Sequence, residues 1–599
     1  MRVSDYIFRT LADWGLRQAF LVTGGGAMHL NDALSREPRI QWLCNLHEQA
    51  CAIAAEAYAR TAGIPAVVCV TSGPGGTNAV TGVTGAWLDS IPMIVISGQI
   101  KTETMLSTYP ELRLRQLGDQ EINIVDIVRP ITKYAAEVKD PQTIRYHLER
   151  ACYLAMTGRP GPVWLDIPLD IQAAEISPDA LSGYDAGEEP LPELNPADVI
   201  GTLSRLREAK RPVLIAGSGI ISAGARELFR SIARQWQIPV LTALSGIDLL
   251  PSDFPYFFGR PGILGARAAN FILQNADLLL VIGTRMNIRQ IGYDCKNVAR
   301  AAFRIMVDID SAELSKPTFR VDHKIHADAG DFLRALEGSG LPPKEDWLTY
   351  CRRLRKQYPP VLPEHRSRTD YVSSYVLPEL LARFMKPESI IVTGNGTAYT
   401  STFQALPVRE GDRVIANVAC AAMGYDLPAT IGAAVAAPDR DVLCITGDGS
   451  IQMNLQELQT IVSRKLPVKI FLYNNAGYLS IKLTQNSFFG GHFIGSTADT
   501  GVVLPDMRKI AAAYGFHTRL LRTNEEAERL LPEILAEPGP VLCEVMTDPM
   551  EQLGPKAASV RLPDGRIVSR PLEDLAPFLP DEELESNMWI PTLRSGKQP

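Results

Sequence analysis

Short apolar, β-branched runs alternate along this chain with stretches in which apolar residues return every three or four positions. The alternation occurs in three blocks. The first block contains "QAFLVTGGG", "AVVCVTSGPGG", "PMIVISGQ" and "PVWLDIP". The second contains "RPVLIAGSG", "IPVLTAL", "ADLLLVIGTR" and "RIMVDID". The third contains "SIIVTGNGT", "DVLCITGDGS", "PVKIFLYNN" and "PVLCEVMTD". Near-continuous apolarity is expected of strands whose sheet is covered by helices on both faces. The pattern therefore predicts an α/β protein of three doubly wound, parallel-sheet domains. Several strands end in glycine, and ligands of such sheets bind beyond the carboxyl ends of the strands. Two segments rich in Pro, Gly and charge, 177–198 and 338–370, are read as linkers. They give domains at 1–185, 186–360 and 361–550, followed by an extension at 551–599. The extension lacks strong periodicity and either covers a site or another subunit, or packs loosely.

Composition narrows the function classes. The 599 residues carry 60 basic and 67 acidic side chains, a net charge of −7, with no long basic run. Nucleic acid and membrane surfaces are thus disfavoured as partners, and small-molecule substrates are expected. No run of about 18 apolar residues exists for a transmembrane span. The opening "MRVSDYIFRTLADWG" reads as an amphipathic helix rather than a signal peptide. Nine scattered cysteines without a CxxC pair predict reduced, buried thiols and a cytoplasmic protein.

The most specific chemistry lies in the third block, in "TGDGSIQMNLQELQTIVSRKLPVKIFLYNNAGY", from Thr446 to Tyr478. One predicted strand ends in Gly447-Asp448-Gly449-Ser450, and the next ends in Asn474-Asn475. From Ser450 to Tyr473, 24 residues lie between Gly447-Asp448-Gly449 and Asn474-Asn475. The glycines allow backbone to approach phosphate oxygens, and the following helix offers free N–H groups. Asp448 supplies an anionic oxygen and Asn475 a neutral one, at the ends of adjacent strands. Few protein ligands, with diphosphate oxygens completing the shell, is how Mg²⁺ is usually held.

This motif resembles the thiamin-diphosphate-binding motif, and residues 1 to about 550 resemble the acetohydroxyacid (acetolactate) synthase family. The resemblance implies a pyrimidine-binding, a middle flavin-type and a diphosphate-binding domain. It implies that Asp448, Asn475 and the carbonyl of Gly477 hold Mg²⁺, with Tyr478 following in the same turn. Gly396 and Thr397, in "TGNGT", would bind the same diphosphate. In "HEQACAIAAEAYAR", Glu48 falls on the family's catalytic glutamate, which hydrogen-bonds N1′ of the cofactor's aminopyrimidine and favours the imino tautomer that deprotonates C2. On residue type alone, Glu48 is simply an acid favoured at a helix N-terminus. Glu56, in the same helix, lacks the match and is read as structural. Met423, in "CAAMGYDLPATIGAA", is the candidate prop between the cofactor's rings. Thr71, Gly75 and Asn78, in "TSGPGGTN", would shape the pocket beside Glu48, or form a tight turn, or both. The family's active sites lie between subunits, so a homodimer or homotetramer is implied.

The middle domain, with "LIAGSG", "LTALSG", "GTRMNIRQ", "VDIDSAEL" and "ADAGD", resembles the family's flavin-binding domain. Gly217, Gly219, Thr242, Leu244, Gly283, Arg285, Asp308 and Asp328 are its candidate FAD contacts, and the flavin would be structural. Relatives of this domain bind another nucleotide, or none.

Departures from the family cluster on the substrate side. Pro-Gly-Gly-Ala is replaced by Thr23-Gly24-Gly25-Gly26, and Gly26 is expected to open space above the thiazolium. The family's Phe before Gln-Glu is Asp119, while Gln120 is kept. The acceptor-choosing Trp is absent, with Thr484 near its place. Gly25, Gly26, Gln120 and Thr484 are therefore the candidate substrate contacts. The pattern resembles the branch that adds a pyruvate-derived two-carbon unit to a keto-sugar nucleotide. The alternatives are acetolactate synthase with pyruvate as acceptor, a diketone hydrolase, a 2-oxo acid oxidase, or a subunit without turnover. The presence of Glu48, Asp448 and Asn475 together argues against the last.

Overall fold

The structure is a computed structural model that describes residues 1–561 and 564–593. Residues 562–563 and 594–599 of the predicted extension lie outside the described residues. Three parallel sheets follow one another along the chain. The first comprises β1 (Gln18–Leu21), β2 (Gln41–Cys44), β3 (Val67–Val70), β4 (Met93–Gln99), β5 (Tyr134–Glu137) and β6 (Pro162–Pro168). Its strand order is β2-β1-β3-β4-β6-β5. The second comprises β7 (Pro212–Ala216), β8 (Val240–Thr242), β9 (Leu278–Ile282), β10 (Phe303–Asp308) and β11 (His323–His326), in the order β11-β10-β9-β7-β8. The third comprises β12 (Ile390–Thr393), β13 (Arg413–Ile415), β14 (Val442–Gly447), β15 (Lys469–Asn474), β16 (His517–Leu521) and β17 (Val541–Met546). Its order, β13-β12-β14-β15-β17-β16, repeats that of the first sheet. Inner strands such as β1, β3 and β4 are buried along their whole length, as their apolar sequences require, whereas the edge strands β2 and β16 are partly exposed.

The first and third domains share one apolar core. Its axis is the alanine-rich helix Glu48–Ala62, which lies between helices Pro74–Asp89 and Asp426–Ala436. A Cβ added at Gly432 would fall 2.0 Å from the Ala54 carbonyl oxygen, so backbones meet here at a separation only glycine and alanine allow. Glu56, 1% exposed, fastens this junction. Its carboxylate accepts from Arg60 Nε at 2.8 Å and from the Tyr425 hydroxyl at 2.6 Å. Arg60 also reaches Asp89, which accepts the N–H groups of Val418 and Ala419. The structural reading of Glu56 holds.

Two expectations need correction. The segment 338–370 is not linker throughout: helix Glu345–Gln357 buries Trp347, Leu348, Cys351 and Leu354. That stripe, at helical spacing, outweighs the charge and proline around it. The described part of the extension is not loosely packed, and it covers the middle domain of its own chain. Leu572 and Leu575 are buried there, and the Trp589 ring lies 4.6 Å from Tyr350 and 5.4 Å from Trp347. A short antiparallel pair, β18 (Ser559–Arg561) and β19 (Ile567–Ser569), precedes this strap. Of the nine cysteines, Cys51, Cys69, Cys152, Cys351, Cys444 and Cys543 are buried, but Cys44 is exposed on edge strand β2. No helix among the described residues is long and apolar enough to cross a membrane.

Candidate active site

The parallel register of β14 and β15 pairs Gly447 with Tyr473 and brings the GDGS turn beside Asn474-Asn475. Asp448 is 4% exposed and receives three backbone N–H groups. Gly449 N donates to Oδ1 at 2.8 Å, while Asn475 N and Gly477 N donate to Oδ2 at 3.2 and 3.1 Å. Burial nevertheless pushes its carboxyl up to about 6, the N–H donors acting in the opposite direction. Asn475 donates from Nδ2 to Thr397 Oγ1 at 3.4 Å, and its Oδ1 is buried without a partner. An orphaned amide oxygen beside a desolvated carboxylate is a donor set that suits Mg²⁺. Among the described residues no cluster of three or more His, Cys, Asp or Glu offers an alternative metal site.

Around this pair opens a cleft of ≈ 1100 Å³. Ten of the eleven candidates from the third domain line it, all but Thr484: Gly396, Thr397, Met423, Gly447, Asp448, Gly449, Ser450, Asn475, Gly477 and Tyr478. The Met423 segment is tied to the GDGS turn, because Gly424 N donates to Ser450 Oγ, which donates in turn to Asp426. Two lining residues, Leu264 and Arg289, come from the middle domain. Among the described residues, Arg289 is the only basic one lining the cleft, and its guanidinium lies 5.5 Å from the centre of the Tyr399 ring. Sequence reading passed over Arg289 within "TRMNIRQ", where Arg285 drew the attention.

The first-domain candidates assemble elsewhere. His47, in extended conformation, caps helix Glu48–Ala62 by accepting Gln49 N at Nδ1, which frees the Glu48 side chain from capping. Glu48 Oε2 instead accepts Asn78 Nδ2 at 3.0 Å, and a Cβ on Gly75 would stand 3.8 Å from Oε1. Thr71 lies beneath, its hydroxyl buried and unpartnered. Gln120 closes over this turn, its carbonyl 2.4 Å from where a Gly73 Cβ would be. Gly26 belongs to the same group, but a Cβ there would meet Ser72 Oγ at 2.6 Å. The place a methyl at Gly26 would take is occupied by Ser72 Oγ, so the glycine leaves no opening at that point, contrary to expectation. A Cβ on Gly25 would meet nothing within 4 Å. Thr484 stands apart, exposed on helix Leu479–Phe489 with its hydroxyl on the Ser480 carbonyl. Among the described residues, none from the first domain lines the cleft that holds Asp448.

A second cavity lies beyond the carboxyl ends of β7, β9 and β10 and is lined also by Leu88–Ser90 and Gly158–Pro160. Gly219, Leu244, Gly283, Arg285, Asp308 and Asp328 line it, whereas Gly217 and Thr242 do not. Gly217 serves a backbone crossing, since its Cβ would fall 2.3 Å from the Gly283 carbonyl. Asp328 spends one carboxylate oxygen capping helix Ala329–Leu336. Burial pushes Asp308 up to about 6.

Comparison with known proteins agrees with this geometry. Residues 1–126, 201–336 and 394–545 match, in turn, the N-terminal TPP binding, central and C-terminal TPP binding domains of thiamine pyrophosphate enzymes. The large subunit of acetolactate synthase isozyme 1 from Escherichia coli is 35% identical, over 92% of this chain and 95% of its own length. This chain belongs to the thiamine pyrophosphate enzyme family. The acetolactate synthase large subunit of Lactococcus lactis is 32% identical, with 92% and 93% of the two chains covered. The probable acetolactate synthase large subunit of Methanocaldococcus jannaschii is 33% identical at the same coverage. Thiamine pyrophosphate, the same compound as thiamin diphosphate, is thus the cofactor of this enzyme. The central segment contains the whole second sheet, while the first spans β1–β4 of the first sheet and the third begins just after β12 of the third sheet.

Proposed function

We propose that this thiamin-diphosphate enzyme is an acetolactate-synthase-like carboligase that decarboxylates pyruvate and transfers the two-carbon unit to a ketone acceptor. The observation that carries the reading is the buried, unpartnered Asn475 Oδ1 beside the Asp448 carboxylate at the mouth of one cleft. In this reading Asp448, Asn475 and the Gly477 carbonyl hold Mg²⁺. Backbone N–H groups at Gly396-Thr397 and Gly447–Ser450 receive the diphosphate, and Met423 supports the rings. Bound cofactor supplies the carbanion chemistry; the chain supplies orientation and proton control. Glu48, its Oε2 fixed by Asn78, holds the proton at the ring nitrogen N1′ through Oε1. Because no first-domain residue lines the cleft, Glu48 would come from a second copy, which makes the working unit a homodimer or a homotetramer built from it.

Arg289 gives the cleft a cation for an anionic acceptor. With Asp119 in place of a bulky aromatic, we assign the acceptor as a keto-sugar nucleotide; Thr484, exposed and outside the cleft lining, carries no part of this assignment. The names of the relatives favour a second reading, in which pyruvate itself is the acceptor. FAD is proposed for the middle cavity, where Arg285 and the unpaired Gln290 Nε2 offer donors to a pyrophosphate or flavin.

The test is to follow labelled pyruvate by NMR with thiamin diphosphate and Mg²⁺, with and without a keto-sugar nucleotide, using Glu48→Gln as control. Slow consumption that accelerates with the sugar supports the proposal. Steady formation of 2-acetolactate from pyruvate alone removes the sugar acceptor, and untouched pyruvate in every condition overturns the donor. Flavin reduction during turnover would instead reveal an oxidase.

A further inference from the structure

Lys482 is buried to 3% exposure in the first turn of helix Leu479–Phe489. This is a poor place for a cation, since burial strips its water and the helix N-terminus is itself positive. Asp448 and Asp548 act on it through space, without a direct ion pair. Its ammonium donates to the Asn475 carbonyl at 2.7 Å and to the Ala476 carbonyl at 3.4 Å. Those carbonyls belong to a turn that needs holding. Ala476 sits in the left-handed region at φ 56°, and Gly477 follows at φ 122°. The N–H groups of Asn475 and Gly477 are already fixed on Asp448 Oδ2. The turn is thus gripped from both sides: by Asp448 through its N–H groups and by Lys482 through its carbonyls.

We propose that Lys482 is the positioning residue of the metal–diphosphate turn. Its ammonium locks the backbone that presents Asn475 Oδ1 to the cleft, and its charge offsets the excess of anion brought by the diphosphate. The inference rests on the Mg²⁺ site proposed above. Asp448 and Asn475 would make the direct contacts, and Lys482 would act through them. Such supporting groups around metal sites typically change metal affinity by about 10–100-fold when removed.

The experiment titrates the full-length apoprotein with Mg²⁺ at saturating thiamin diphosphate, reading calorimetric heat and the ligand-induced rise in Tm, then repeats it for Lys482→Met, Lys482→Gln, Lys482→Arg and Asp448→Asn. Lys482→Met and Lys482→Gln are expected to raise the Mg²⁺ midpoint about tenfold or more while the apoprotein Tm holds. Lys482→Arg, which keeps charge and donors, should stay near wild type. A role confined to folding would lower the apoprotein Tm and leave the midpoint in place, which overturns the proposal. If Lys482→Met does not fold, Lys482→Gln decides by the same criterion. Loss of binding in Asp448→Asn with unchanged midpoints at Lys482 refutes the Lys482 role alone. Unchanged binding in Asp448→Asn refutes the metal site on which it rests.

Discussion

Replacing Asp166 with asparagine is expected to make the protein less sensitive to rising pH. Asp166 lies on β6, buried, with Ser97 Oγ donating to Oδ1 at 2.5 Å and Gln99 Nε2 to Oδ2 at 3.0 Å. Among the described residues no cation pairs with it, and burial pushes its carboxyl from the ordinary 3.8 up to about 7. At 1.36 kcal/mol per pH unit, that rise of about 3 units costs about 4 kcal/mol once the group is ionised in the folded state. Because the folded-state value is the raised one, the native state binds the extra proton between pH 4 and 7. Stability is therefore full below pH 4 and lost as pH rises through 7. Applied to values of 3.8 and about 7, the linkage relation gives a loss of about 2.5 kcal/mol between pH 5 and pH 8. Asparagine stays neutral and keeps hydrogen-bonding capacity toward Ser97 and Gln99. Urea denaturation of both proteins at pH 5, 6, 7 and 8 should show the variant gaining on wild type by about that amount. A stability difference that stays flat across this range would refute the reasoning, because it would mean that Asp166 titrates at its ordinary value.

Four shorter predictions accompany it. Tyr425→Phe removes the donor at 2.6 Å from the buried Glu56 carboxylate and should cost about 1.5–3 kcal/mol in denaturant titrations, weakening the junction of the first and third domains. Glu48→Gln should lower turnover by ~10²–10⁴ while the cofactor-induced rise in Tm is retained. Gly477→Ala places a Cβ 2.4 Å from the Ser496 carbonyl at φ +122°, so calorimetry should find cofactor binding lost or strongly weakened. Removing divalent cations with a chelator should abolish the thiamin-diphosphate-dependent shift in Tm, and added Mg²⁺ should restore it.

The parallel sheets were legible because their strands are continuously apolar, and the cleft was legible because Asp448 and Asn475 sit at strand ends with glycine around them. What escaped reading depends on partners distant in sequence. Lys482 in "SIKLTQ" looks like an ordinary solvated lysine, and only the fold reveals that the Asn475 turn curls over it. Arg289 belongs to the middle domain, yet its guanidinium reaches a cleft built by the third. Gly26 looked like an opening because a missing methyl says nothing of the neighbour that replaces it, here Ser72. The strap over the middle domain was invisible for the same reason. Its apolar residues, Leu572, Leu575 and Trp589, are too irregularly spaced to announce a surface they cover.

That strap has a consequence for how the protein is made. Helix Arg267–Asn275 carries three polar side chains that each take a partner from roughly 300 residues later. Arg267 bonds the carbonyls of Leu575 and Pro577, Gln274 bonds Glu573, and Asn275 bonds the backbone of Asn587 and Trp589. At ribosomal speeds of about 5–20 residues per second, these groups wait ~15–60 s after their own synthesis. During that interval the third domain must emerge and fold beside a middle domain whose surface is unfinished. A nascent chain stalled before residue 573 would expose this helix to chaperones, and release of the last segment would mark its maturation.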